Sequence, residues 1–164
     1  MSRDGPTLPN DHLASTEIIP MAIPVQVTFD CADPDKLGTF WAQALGYKQD
    51  DPPPGFDSWP AFLTAQNIPK ERWNDRNAIV DPDRRGPRIF FQRVPEGKTV
   101  KNRLHLDVNV GGERGTPPDE RRRRVDAAVV RLIGMGATQV RLVEELHERF
   151  VVMQDPEGNE FCLQ

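Results

Sequence analysis

At 164 residues, the chain has the size of one compact domain or of two half-domains sharing a core. A formal net charge of -4 gives no global basic field for nucleic acid, and no apolar run approaches the roughly 20 residues needed to cross a bilayer. Two cysteines make no disulfide framework and the N-terminus lacks a secretory pattern, so a cytoplasmic location is expected.

Residues 1–21 are polar, carry Gly5, Pro6, Pro9 and Pro20, and show no periodicity; a flexible leader is expected there. Residues 23–30 alternate as a strand. Asp33 followed by Pro34 is an N-cap with proline at the first helical position. The helix then runs to about Leu45, with Leu37, Phe40, Trp41, Ala44 and Leu45 on one stripe, and Gly46 ends it. Residues 47–50 start a second strand. Segment 51–77 is longer than a hairpin needs and reads as an insertion. It holds a short helix capped by Asp57 or Ser58 and a further helical turn in PKERW. Strands at 78–80 and 88–94 are joined by the turn DPDRRGP. The polar stretch EGKTVKN (96–102) links this first module, 22–95, to a second, 103–164.

The second module opens with a strand at 103–110 and the insertion GGERGTPPDE. A helix starts near Pro118, where Val125, Ala128, Val129, Leu132 and Ile133 form an apolar stripe. Residues 138–143 and 149–154 read as a hairpin. DPEGN is a turn, and EFCLQ is the last strand.

The chain thus states one pattern twice. VQVTFD (25–30) and LHLDVN (104–109) both alternate apolar and polar positions, and each precedes a helix closed by glycine. Alternation puts Gln26, Thr28 and Asp30 on one face of the first strand, and His105, Asp107 and Asn109 on one face of its counterpart. Cys31 has the opposite parity to Gln26. If the two sheets curve around a common space, Gln26 and His105 look into it from equivalent places. The fold class expected is α+β: two tandem βαβββ modules whose curved sheets surround a central cavity, with helices outside.

Three segments carry a resemblance: DPDKLGTFWAQALGY (33–47), RLHLDV (103–108) and DPEGNEFCL (155–163). With the doubled strand–helix–three-strand order, they resemble the vicinal oxygen chelate superfamily of glyoxalases, extradiol dioxygenases, and fosfomycin and bleomycin resistance proteins. The resemblance spans about residues 22–164 and is nearest to actinobacterial glyoxalase-like domain proteins. It implies a metal position on the first and last strands of each module. The first-strand position falls on Gln26 and its second-module equivalent on His105. The last-strand positions fall on Phe90 or Gln92, and on Cys162 or Glu160. The resulting set is Gln26, Gln92, His105 and either Cys162 or Glu160. Two amides and a single imidazole lack the charge to hold a divalent ion tightly, so no high-affinity cofactor is expected, although the resemblance allows a divalent metal.

The resemblance also implies a small polar organic ligand in the central cavity, with lyase or isomerase chemistry and a metal acting as Lewis acid on vicinal oxygens. Glu160 is then the general base, with Asp107 as second choice. The competing class is a non-enzymatic, drug-sequestering binder, contacting its ligand through His105 and tryptophans and pairing as a homodimer. Trp59, Phe62 and Trp73 read equally as satellite core or as a cover over the cavity. Arg121 to Arg124 read as a solvated helix face beside Asp119, Glu120 and Asp126. Cys162 reads as a buried thiol without a nearby base, His147 as exposed and His12 as part of the leader.

Overall fold

The computed structural model describes residues 24–145 and 148–164. The expected leader, His12 and His147 lie outside the described residues. The first module comprises β1 (Gln26–Cys31), α1 (Pro34–Leu45), β2 (Lys48–Gln49), α2 (Trp59–Ala65), a 3-10 turn (Lys70–Asp75), β3 (Arg76–Val80) and β4 (Arg88–Arg93). The second comprises β5 (Leu106–Val108), α3 (Pro118–Gly134), β6 (Thr138–Glu145), β7 (Glu148–Gln154) and β8 (Glu160–Leu163). The strand orders are β1-β4-β3-β2 and β5-β8-β7-β6, so the same topology occurs twice. In each sheet the first strand runs parallel to the last and the others pair antiparallel. The architecture is α+β with two four-stranded curved sheets, not closed into a barrel.

Local sequence explains the elements. Asp33 caps α1 by accepting from the Lys36 N–H, and Gly46 ends that helix in the left-handed region at φ 71°. Ser58, rather than Asp57, caps α2. β5 is shorter than the 103–110 run suggested, and His105 sits just before its first residue.

One core serves both modules. Leu37, Phe40 and Trp41 of α1 cluster with Phe91 of β4, Leu132 of α3, and Met153 and Phe161 of the second sheet. Trp41 stands at the junction: its ring centroid lies 5.3 Å from Phe29 and 5.1 Å, edge-on, from Phe161. Its indole N–H donates to Asp155 at 3.1 Å. Asp155 also accepts from the backbone N–H groups of Glu157 and Asn159, which fixes the DPEGN turn. Glu157 then reaches across to the first module, accepting from the Ala32 and Asp33 N–H groups at 2.7 and 2.8 Å. The end of the second module therefore clamps the start of α1. Because α1, α3 and the apolar sheet faces share this core, the opposite, polar faces of the sheets are left to form cavities.

Candidate functional site

On the polar face of the first sheet, register sets the neighbours. Gln26 pairs with Arg88, Thr28 with Phe90 and Asp30 with Gln92. The Arg88 guanidinium donates to Gln26 Oε1 at 2.6 Å and to Asp50 at 2.8 Å. Gln92 donates to Asp30 at 2.7 Å. Both amides are thus engaged within their own sheet.

The insertion folds over the β3–β4 part of this face. Between them lies a cavity of about 940 Å³, whose walls include Trp59, Phe62, Trp73 and Phe90, with Asp50 and Arg88 at its polar side. The two indoles are fixed from behind: Trp59 donates to the Asp50 carbonyl at 2.8 Å and Trp73 to the Ile68 carbonyl at 2.9 Å. Phe62 packs edge-on against Trp59 at 5.8 Å and against Phe56 at 5.2 Å. The walls are therefore preset, and little side-chain entropy remains to be lost when a ligand enters.

The second sheet builds a different environment. Its parallel β5/β8 register sets Asp107 opposite Cys162. His105 Nε2 lies 3.3 Å from Asp107 Oδ1. These three side chains line a second cavity of about 900 Å³ with Thr116, Arg121 and Arg122. Burial pushes the Cys162 thiol above the ordinary thiol range, and the adjacent Asp107 carboxylate adds to this. Such a thiol is a poor nucleophile at neutral pH. Cys31, buried in the core, is pushed up to about 12, chiefly by burial and then by Glu157.

Glu160 lines a third cavity of about 490 Å³ between the modules, which His105 also borders. Lys101 pairs with Glu160 and holds its carboxyl below the usual glutamate range. Gln26 and Gln92 line none of these three cavities. The structure thus brings His105, Asp107 and Cys162 together and puts Trp59 and Trp73 in another cavity.

The arginine run departs from a uniform solvated face. Arg122, Arg123 and Arg124 pair with Glu144 and Glu120, but Arg121 is half-buried against the second cavity. Gly111 permits this, since a Cβ there would stand 2.5 Å from Arg121 Cγ. Sequence reasoning also missed Arg88 and Asp50, although the Gln26–Arg88 register would have pointed to the former.

The doubled βαβββ topology agrees with the comparisons. The glyoxalase-like domain pattern matches residues 26–164. The chain belongs to the glyoxalase-like domain family, within the vicinal oxygen chelate superfamily. No curated protein matches the sequence. Among solved structures, a glyoxalase/bleomycin resistance protein/dioxygenase family enzyme from Burkholderia phytofirmans PsJN is 18% identical with a TM-score of 0.53, covering 84% of this chain and 94% of its own. A possible glyoxalase from Bacillus cereus is 14% identical with a TM-score of 0.55, covering 88% and 99%. The fosfomycin resistance protein FosX from Listeria monocytogenes, solved with Mn(II) and 1S,2S-dihydroxypropylphosphonic acid, is 11% identical with a TM-score of 0.55, covering 88% and 90%. At these identities the likeness shows the fold alone.

A divalent ion shared between the modules is what the fold family implies. The residues at the implied positions do not fit one. Gln26 Oε1, the atom that would ligate, already accepts from a guanidinium, and a cation there repels a second. Gln92 donates its amide N–H to Asp30, which leaves only a neutral amide oxygen to ligate. Neither amide supplies charge.

Proposed function

We propose that this chain binds a small, partly planar organic molecule in the aromatic-walled cavity between the 51–77 insertion and the first sheet. The observation that carries the proposal is the pair of indoles, Trp59 and Trp73, held by backbone carbonyls with their ring systems lining one cavity beside the Asp50–Arg88 pair. Preset aromatic walls with a few polar anchors are how small-molecule sites gain affinity and orientation. A drug-sequestering or metabolite-binding role, exercised by a monomer or a homodimer, fits this chemistry without any catalytic group.

The test is intrinsic fluorescence. Titration with a panel of planar aromatic and small polar metabolites should give saturable quenching that is lost in Trp59→Phe or Trp73→Phe. Trp41, 1% exposed in the core, should not respond. Quenching that survives both variants would remove the proposal.

A second reading, lyase or isomerase action, is favoured by the His105–Asp107 contact beside a cavity. In it Glu160 is the general base, with Asp107 as the second choice. Turnover of a metabolite that is abolished in Glu160→Gln, with the fold intact by circular dichroism, would establish this reading in place of simple binding.

A further inference from the structure

Four carboxylates line the aromatic-walled cavity over the first sheet, and each already has a partner. Asp50 accepts from Arg88 at 2.8 Å, Asp51 from Lys48 at 2.7 Å and Asp75 from Arg72 at 2.9 Å. Asp35 accepts from Asn77 at 2.9 Å and sits in the first turn of α1, where the helix dipole favours a negative charge. The cations of the lining are not balanced in the same way. Arg72 and Arg88 are committed to these aspartates, whereas Arg76 has no hydrogen-bonded or ion-paired partner among the described residues.

Strand register places Arg76. Ala78 of β3 pairs with Phe90 of β4, and Arg76 pairs with Gln92, so Arg76 shares one face with Ala78 and Phe90. Arg88 lies on that face of β4, two residues to the other side of Phe90, with its guanidinium 5.3 Å from the Phe90 ring centroid. A guanidinium thus stands to either side of Phe90 along the sheet. Lys70 Nζ lies 5.9 Å from the Trp73 ring centroid. Two of the aromatic rings therefore already face the chain's own cations, which repel an organic cation and favour an anion.

We propose that the ligand of this cavity is a planar aromatic carboxylate, its ring held among Trp59, Phe62, Trp73 and Phe90 and its carboxylate held by Arg76. The inference rests on the proposed binding of a planar molecule here, and adds the ligand's charge and its anchor. One free guanidinium matches the single charge of a carboxylate, and two parallel N–H groups of its fork fit the two oxygens. Arg88 is not the anchor, because its Nε and Nη1 already donate to Asp50 and Gln26. Neither Gln26 nor Gln92 lines this cavity, so the contact is separate from the metal position that the fold family implies.

Three probes with one ring system separate charge from shape: 2-naphthoate, neutral 2-naphthamide and 2-naphthylmethylammonium. Calorimetric titration of the full-length chain should rank them with the carboxylate tightest and the ammonium weakest. Arg76→Gln should weaken 2-naphthoate by about 10–100-fold, the worth of one charge-assisted contact, while 2-naphthamide changes by less than about threefold. Arg76→Lys, which keeps the charge and loses the fork, should recover part of the loss. Arg76 is exposed at the start of β3, so its variants should fold as the parent does, and circular dichroism checks this. The proposal is overturned if 2-naphthoate binds Arg76→Gln as tightly as the parent, or if the amide or the ammonium binds the parent at least as tightly as the carboxylate. Should such binding still be lost in Trp59→Ala or Trp73→Ala, the aromatic cavity stands with a ligand of different charge. Absence of binding by all three probes overturns this ligand class. Binding of 2-naphthoate that survives both tryptophan variants removes the aromatic-cavity reading, and this inference with it.

Discussion

Asp33 shows how far a single residue can be read from its immediate neighbours. Its cap on α1 was legible in the sequence, because capping is local. The Asn74 side chain that also donates to it, at 2.9 Å, was not, because it comes from the end of the insertion. Together Asn74 first and the Lys36 N–H second hold the Asp33 carboxyl below its ordinary value of 3.8. A depressed folded-state value gives stabilisation that is present above pH 3.8 and lost as pH falls through the lower, folded value. Asp33→Ala should therefore cost about 1 kcal/mol near neutrality, and the gap to the parent should narrow steadily below pH 4 in urea titrations. A gap that widens on acidification would contradict this assignment. The His105–Asp107–Cys162 grouping sits at the other extreme. Strand parity gave His105 and Asp107 a shared face and the resemblance put Cys162 in one set with His105, but the neighbour relation of Cys162 to Asp107 comes from the parallel ladder, which joins residues far apart in the chain.

At the scale of elements, the helices and most strands followed from periodicity and punctuation, since proline, glycine and capping residues act within a turn. What periodicity could not supply was where the insertion lies. Its helix is short, none of its residues is buried, and its aromatics pack on one another before they face the cavity. The DPEGN turn was equally visible as a turn and invisible as a clamp. Glu157 closes the two N–H groups that precede α1, from a position more than a hundred residues away. Glu157→Ala should lower stability by about 1–2 kcal/mol, through the lost cap and its charge at the helix start. Equilibrium unfolding of the variant checks this, and Glu157→Gln should recover part of the loss. A neutral effect would mean that water satisfies those donors equally well.

For the whole molecule, the repeat predicted the topology but not how the halves meet. The shared core around Trp41 draws on α1, α3 and both sheets, so the modules should not unfold separately. Tryptophan fluorescence, which reports chiefly on the first module, and far-ultraviolet circular dichroism should give coincident transitions. Trp41→Ala removes the largest side chain at the junction and its bond to Asp155. It should destabilise by about 3–5 kcal/mol while keeping a single transition. Two resolved transitions, with only one shifted, would show that the halves are energetically separate.

The Glu157 clamp also dictates an order of events. Loop-closure entropy must be spent before contacts between distant residues give anything back, and a high share of such contacts slows folding. Here the first helix among the described residues is held by the turn before β8: Glu157 and Asp155 meet Asp33 and Trp41 across sequence separations of 124 and 114. A nascent chain that has finished its first module still lacks the groups that hold the start of α1 and cover the edge of Trp41. During synthesis, that indole and the neighbouring Phe40 are a temporary hydrophobic surface, and chaperone engagement would concentrate in the interval before the C-terminal hairpin emerges.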